Sequence, residues 1–273
     1  LSMSSPDDIR ALVPFACRLA DAARAAMLPL FRTAAAVAEN KLTDGYDPVT
    51  EADRAAERAI RELIEAERPE DGINGEQYGV KTGSNDLVWY LDPIDGTRAF
   101  VAGLTSWTTL IGLAVNGRPV LGIIDQPWLD ERYVGAGGEA WLDARGVRTP
   151  LKTSGCAQLT EAVLSTTDYF ILTPPERGAF EHLRATARLT RYGLDAYAYA
   201  RLAAGTIDMV AESGLKAHDV AALFPVIEGA GGVVTDWSGK PAKLGGQVVA
   251  AASQAVLDQA LISLRRSAAS WSG

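Results

Sequence analysis

The sequence predicts a mixed chain, α+β in its first part and α/β in its second, on three observations. Two amphipathic helical periods precede a run of strands, and from about residue 160 strands and helices alternate. The 273 residues, 48% apolar and 22% charged, also have the composition of a globular protein and not of a disordered one. At about 150 residues per domain the length corresponds to roughly two domains. A soft boundary near Pro150 divides an N-terminal α+β part, 1–150, from a C-terminal α/β part, 151–273.

Ser5-Pro6-Asp7-Asp8 is a helix start, with Ser5 as N-cap, Pro6 at the first helical position and acids in the first turn. Ile9, Leu12, Val13, Ala16, Leu19, Ala20, Ala23 and Met27 keep helical spacing, which predicts a long helix to about residue 36, bent at Pro14 and Pro29. A second helix is expected over 51–67, closed by Pro69 and Asp71-Gly72. Strands are expected at 87–91, 108–115, 119–125, 131–135 and 140–142, with turns at Asn116-Gly117 and Arg145-Gly146. They form an antiparallel sheet behind the two helices. The later alternation runs strand 162–166, helix 175–187, strand 189–192 and helix 195–204 with Gly205 as its cap. Strand 207–211, helix 219–230, strands 233–236 and 247–251, and helix 255–265 complete it.

Lys and Arg number 26 against 34 Asp and Glu, a net charge of −8. That balance argues against a nucleic-acid or anionic-membrane partner, which needs a positive field. Two cysteines, Cys17 and Cys156, give neither a disulfide framework nor a zinc ribbon. No apolar run approaches the roughly 18 residues of a membrane span, and the stretch after Met3 lacks the basic and apolar regions of a secretory signal. A cytoplasmic protein is expected.

The most informative stretch is Asp92-Pro93-Ile94-Asp95-Gly96-Thr97, directly after an apolar strand. Two carboxylates three residues apart across a turn can converge on one point. Among apolar neighbours they are costly unless a divalent cation neutralises them. Amides after Gly96 would open a short helix suited to phosphate. The plainer alternative is an Asp-rich turn that caps the strand. Thr50 and Asp53 have the spacing of a capping box, which would occupy both at a helix start. Asp219 reads equally well as a first-turn helix acid, and Glu76 alone, in a loop or edge strand, says little. Phosphate chemistries with other signatures are absent: there is no Gly-Lys-Ser/Thr phosphate loop, no cysteine followed by Arg six positions on, and no Asp-x-Asp at 92–95. Without a side-chain nucleophile, a metal-activated water is the natural attacker.

Together these segments resemble the inositol monophosphatase superfamily of Mg²⁺-dependent, lithium-sensitive phosphomonoesterases. Trp89-x-x-Asp92-Pro-Ile-Asp95-Gly-Thr97-x-x-Phe100 is similar to its first signature, and His218-Asp219 through Gly231-Gly232 to its second. Asp47-x-Val-Thr-x-Ala-Asp53 and Gly75-Glu76 fit its remaining motifs in order. The resemblance implies a layered α-β-α-β-α sandwich. It also implies one Mg²⁺ held by Glu76, Asp92 and the Ile94 carbonyl, and a second held by Asp92, Asp95 and Asp219. A third, weaker ion near Glu76 occurs in some members. Thr97, hydrogen-bonded to Asp53, would orient the attacking water, and the amides of Gly96 and Thr97 would bind phosphate. Gln77 departs from the family's usual second Glu.

Within that superfamily the chain looks most like histidinol-phosphatases, through Leu121–Pro127, Glu131–Gly135, Tyr192–Ala200 and Gly214–Lys216. An acid beside the leaving-group pocket would favour the protonated amine of histidinol phosphate over a neutral polyol. Asp195 is the candidate, with Glu212 and Glu131 weaker, although Asp195 also reads as a helix N-cap. The substrate is thus expected to be a small phosphate ester, histidinol phosphate first. Inositol-1-phosphate and a 3′,5′-bisphosphate nucleotide are the alternatives within the superfamily, and a non-catalytic metal-binding relative the alternative outside catalysis. Homodimers are common in the resembled family.

Overall fold

In the computed structural model, residues 5–33, 39, 40 and 48–269 are described; the first four residues, Asp47 and the expected helix end at 34–36 lie outside them. Ser5 caps α1 (Pro6–Arg10), its side chain and that of Asp8 closing a reciprocal box. The single long helix expected here is broken. Pro14 has no N–H to give the Arg10 carbonyl, so α1 ends there and α2 (Val13–Met27) starts anew. At Leu28–Leu30, around Pro29, the chain tightens into a 3₁₀ turn. A two-residue pair, β1 (Glu39–Asn40) and β2 (Pro48–Val49), leads into α3 (Glu51–Glu67).

Eight strands follow: β3 (Gly72–Gly75), β4 (Gly79–Lys81), β5 (Leu87–Asp95), β6 (Thr108–Val115), β7 (Arg118–Gln126), β8 (Glu131–Ala136), β9 (Glu139–Ala144) and β10 (Val147–Pro150). They form one sheet in the order β10-β9-β8-β7-β6-β5-β3-β4. All neighbours are antiparallel except β3 and β5. The turns at Asn116-Gly117 and Arg145-Gly146 stand where expected, all four residues at positive φ. Between β5 and β6 lies the short helix α4 (Thr97–Val101). Its Phe100 is fully buried against Phe31 and Trp107, with ring centroids 5.1 and 5.0 Å away.

The second sheet holds β11 (Val163–Thr166), β12 (Leu189–Tyr192), β13 (Met209–Leu215), β14 (Val233–Thr235) and β15 (Gly246–Ala251), in the order β12-β11-β13-β15-β14. β11 runs parallel to β12 and β13; β15 is antiparallel to β13 and β14. The helices between are α5 (Pro174–Thr186), α6 (Ala196–Ala203), α7 (Ala217–Val220), α8 (Leu223–Gly229) and α9 (Gln254–Leu264). The helix expected over 219–230 is also two pieces, because Pro225 has no N–H for the Ala221 carbonyl.

These elements stack as α-β-α-β-α. Helices α2 and α3 cover the outer face of the eight-stranded sheet, α6, α7 and α8 lie between the sheets, and α5 and α9 cover the far face of the second. Three apolar clusters fill the gaps between layers, and the middle one joins Leu110, Ile124 and Tyr133 of the first sheet to Val210 and Val248 of the second.

The middle layer sits unusually close to the first sheet. Gly112, Gly122 and Gly135 are cross-strand partners on β6, β7 and β8 and form a row without side chains. A Cβ at Gly112 would come within 2.7 Å of the Ala221 backbone. At Gly122 and Gly135 it would collide with the backbones of Ala222 and Pro225. The link from α7 to α8 therefore rests main chain on main chain. Gly122→Ala should overpack this contact and destabilise the protein by about 1–3 kcal/mol. Urea unfolding monitored by tryptophan fluorescence checks this, and an unchanged midpoint would contradict it.

Candidate active site

The carboxylates of the Asp92–Thr97 stretch are brought together by a defect in the sheet. Strand β5 continues to Asp95 and does not stop at Leu91 as expected. Asp92 pairs with Leu110 but Asp95 pairs with Thr108, so β5 carries one residue more than β6 over this span. In a regular strand, residues three apart point to opposite faces. The bulge reverses that parity and lets both acids face the same side. Pro93, which cannot donate to the ladder, sits in the bulge and its carbonyl accepts from Thr109 Oγ1 at 2.8 Å. Gly96 follows at φ 83°, a left-handed position that turns the chain into α4.

A cavity of about 280 Å³ lies here between the two sheets, lined by Glu76, Asp92, Asp95, Thr97, Asp195, Glu212 and Asp219 among others. A second bulge borders it: between Glu212 and Leu215 the β13–β15 register slips by one residue, with Gly214 at φ 77°. The cavity is thus framed by two interrupted strands, one from each sheet.

Asp92 is 4% exposed, and its Oδ1 is buried without a hydrogen-bond partner. Burial, reinforced by the negative charges of Glu76, Asp95, Asp219 and Asp53, pushes its carboxyl well above the usual carboxylate range. Asp95 is pushed up likewise by burial and by Asp195, against the pull of the Ala196 N–H, which donates to its Oδ2 at 2.6 Å. Burial also raises Asp219, opposed by His218; its Oδ2 accepts from the Lys216 N–H at 2.7 Å, while Oδ1 lies 3.4 Å from His218 Nε2. Glu76 Oε2 accepts from Gln77 Nε2 at 2.7 Å. Among the described residues no three such side chains are yet drawn into a closed metal cage. Even so, an orphaned, buried carboxylate oxygen among other hard oxygen donors fits a small divalent cation.

Asp53 satisfies both readings of its motif. Its Oδ2 closes the capping box of α3, accepting from Thr50 N at 2.8 Å and Thr50 Oγ1 at 2.6 Å. Its Oδ1 lies 3.5 Å from Thr97 Oγ1. The expected Thr97–Asp53 bond is therefore long, and the nearer partner of Thr97 is the Ile94 carbonyl at 3.0 Å. Asp195 does not behave as a cap. It occupies the N-cap position of α6, yet its side chain makes no capping bond, and its backbone is held at φ 48°, ψ −142°. That conformation is strained for a residue other than glycine. It sets the carboxylate against Gly96, where an added Cβ would meet Asp195 Oδ2 at 3.0 Å. Burial, with Glu212 nearby, raises Asp195 to about 7, against the pull of Arg98. Glu212 is raised by burial too, and is held by the Thr167 N–H at 2.8 Å and Tyr199 OH at 2.9 Å.

Other residues turn away from the cavity. Glu131 accepts from Tyr133 OH at 2.7 Å and Tyr197 OH at 2.8 Å within the middle layer. Asp125 is a fully buried anchor for Arg24 and Arg132, at 2.6 and 2.7 Å. Sequence reasoning missed Glu57, a fully buried acid on α3 that holds the turn carrying Glu76. Its signal was there: it lies beside Ala56 and Ile60 on the helix's apolar face and has Arg61 four residues on.

Residues 8–270 match the inositol monophosphatase family. The chain belongs to the inositol monophosphatase family. This membership makes it a phosphomonoesterase, and enzymes of the family are generally metal-dependent. The chloroplastic bifunctional phosphatase IMPL2 of Arabidopsis thaliana is 45% identical over 204 residues, 72% of this chain but only 57% of that protein's length. A histidinol-phosphatase of Mycobacterium tuberculosis is 38% identical over 207 residues, 74% of this chain and 79% of its own. The solved structure of an inositol monophosphatase from Zymomonas mobilis is 40% identical with a TM-score of 0.81, covering 97% of this chain and 99% of that one. The layered α-β-α-β-α sandwich of this family member thus agrees with that of its solved relatives. Among the described residues no helix is long and apolar enough to cross a membrane.

The raised Asp195 has a measurable sign. Its carboxyl goes from an ordinary 3.8 to about 7 in the folded chain, so the folded state holds the proton more tightly. In cation-free protein its contribution is present below the lower value and lost as pH rises towards the upper one. Asp195→Asn should therefore flatten the fall in urea midpoint across that interval. Identical pH slopes for the two proteins would contradict it.

Proposed function

We propose that the chain is a Mg²⁺-dependent phosphatase that hydrolyses L-histidinol phosphate to L-histidinol and phosphate. The observation that carries the choice of substrate is Asp195, whose carboxylate is held against Gly96 by a strained backbone and serves no cap. Relatives that bear the histidinol-phosphatase name support the same reading. An acid at the cavity wall favours a leaving group with a protonated amine over a neutral polyol.

In this reading Glu76, Asp92, Asp95, Asp219 and the Ile94 carbonyl would hold two or three Mg²⁺ ions. Held there, divalent cations would supply charge that neutralises the acids, attracts the phosphate and makes water acidic enough to attack at neutral pH. Thr97 Oγ1 would hold the attacking water and pass its proton towards Asp53 Oδ1, 3.5 Å away. The amides of Gly96 and Thr97 bind phosphate oxygens at the start of α4. Asp195 takes the amine of the leaving group, with Glu212 braced behind it by Thr167 and Tyr199. Two unpaired cysteines suit a reducing cytoplasm.

Inositol-1-phosphate is the second reading, favoured by the likeness to the Zymomonas enzyme across nearly the whole chain. A bisphosphate nucleotide fits less well, since Arg98 and Lys216 are the cavity's basic side chains and Arg98 lies 3.4 Å from Asp168.

Initial rates of phosphate release from histidinol phosphate, inositol-1-phosphate and a 3′,5′-bisphosphonucleoside, with and without Mg²⁺, decide among these. Histidinol phosphate should give the highest kcat/KM, and a tenfold preference for inositol-1-phosphate, about 1.4 kcal/mol in transition-state binding, would overturn the choice. Asp195→Asn should lower kcat/KM for histidinol phosphate at least tenfold, with a smaller change for inositol-1-phosphate. Asp92→Asn should abolish turnover of every ester; near-parental activity would remove the metal assignment.

A further inference from the structure

The turn that carries Glu76 is splinted from behind by α3. Glu57, fully buried, accepts the Gln77 N–H on Oε2 at 2.7 Å and the Tyr78 N–H on Oε1 at 3.2 Å. Arg61 Nε donates to Glu57 Oε1 at 2.8 Å, and Arg61 Nη2 donates to the Gly79 carbonyl. Arg58 donates to Tyr78 OH at 3.1 Å, and the Arg61 guanidinium lies 6.0 Å from the Tyr78 ring centroid. Gln77, fixed at its backbone by Glu57, donates its side-chain amide to Glu76 Oε2 at 2.7 Å. Gln77 therefore links Glu57 to the Glu76 carboxylate, its backbone N–H held by the first and its side-chain amide donating to the second. Gly75 belongs to the same device: a Cβ there would collide with Glu57 Oε1 and come within 2.8 Å of Arg61 Nη2.

We infer that Glu57 is a positioning residue for cation binding: through Gln77 it presents Glu76 to the cavity, and Gly75 is small so that Glu57 can reach the turn. Glu57 itself does not touch the cation or the substrate. A fully buried carboxylate needs its hydrogen bonds, and here two backbone amides of one turn supply them. Loss of either partner frees the turn to rotate, and Glu76 with it. The inference rests on the proposed role of Glu76 as a cation ligand.

The test is Mg²⁺ binding to cation-stripped protein by isothermal titration calorimetry, with the rise in melting temperature on adding Mg²⁺ as a second readout. Glu57→Gln keeps the size and places an amide N–H where an acceptor is needed. It should weaken Mg²⁺ binding about tenfold or more, as loss of outer-shell partners does elsewhere, and reduce the Mg²⁺-induced rise in melting temperature. Turnover should return as Mg²⁺ is raised, so that the change falls on the Mg²⁺ requirement and not on kcat. Gly75→Ala keeps Glu57 but pushes it away, and should give the same weakening. The double variant should be no worse than either single one, because both break the same contact. A Glu57 that served the fold alone would lower the melting temperature of both states and leave the affinity unchanged, and that result overturns the inference. If Glu57→Gln does not fold, Gly75→Ala with parental affinity overturns it equally. Glu76→Gln separates the two levels. Unchanged Mg²⁺ binding in that variant removes the proposed ligand set. Weakened binding there, with parental affinity in the Glu57 and Gly75 variants, removes only the splint.

Discussion

Asp92 is a buried carboxylate with one oxygen unpartnered, surrounded by acids of the same sign, and the rest of the site is arranged around that electrostatic constraint. Left to themselves, such groups would separate or take up protons. Three parts of the fold keep them together. The bulge in β5 turns Asp95 to the side of Asp92, the row of glycines under α7 and α8 brings Asp219 down onto the sheet, and α3 braces the turn of Glu76. Each acts on the backbone that carries an acid, where repulsion between side chains has least leverage. The hydrogen bonds that several of these acids already accept limit how far they can retreat.

Much of this was legible in the sequence, and the remainder fails for identifiable reasons. Alternating and helical apolar periods located the long helices and ten of the strands, because one buried face imposes its period on the side chains; the short strands β1 to β4 and β10 are too brief or too exposed to carry such a period. Breaks at Pro14 and Pro225 were harder to place: a proline can sit in a first helical turn or end the helix before it, and tertiary packing decides which. The acids of Asp92–Asp95 were recognisable as a convergent pair, but their convergence comes from a bulge. A bulge depends on the partner strand, since the additional residue exists only relative to Leu110 and Thr108. Asp53 was ambiguous because it has two oxygens, and the structure uses one for the cap and aims the other at Thr97. Asp195 looked like a helix cap by position, and its positive φ and missing capping bond, neither visible in sequence, separate it from one. Glu57 resembled an ordinary charged pair with Arg61, since sequence does not show the amides waiting across the gap.

The site also divides by origin. The acids around Asp92 come mainly from the eight-stranded sheet and its flanking loops, with Asp219 added from the middle layer. Asp195, Glu212 and Tyr199 come from the later residues. The segments Leu121–Pro127 and Glu131–Gly135, which resemble histidinol-phosphatases, hold α2 and the middle layer and do not line the cavity. Those segments serve packing here, and the later residues Asp195, Tyr199 and Glu212 reach the cavity wall.

The row of Gly112, Gly122 and Gly135 gives this division a mechanical meaning. A gap filled by side chains changes width whenever one of them changes size or rotamer, whereas a gap closed by two backbones has a single stop. The height of Asp219 above the sheet is thus indexed by main-chain contact and insulated from drift in the surrounding side chains. The cavity walls can be rebuilt by substitution while the depth of the charged floor stays constant. In such an arrangement new specificity need not be accompanied by retuning of the acids.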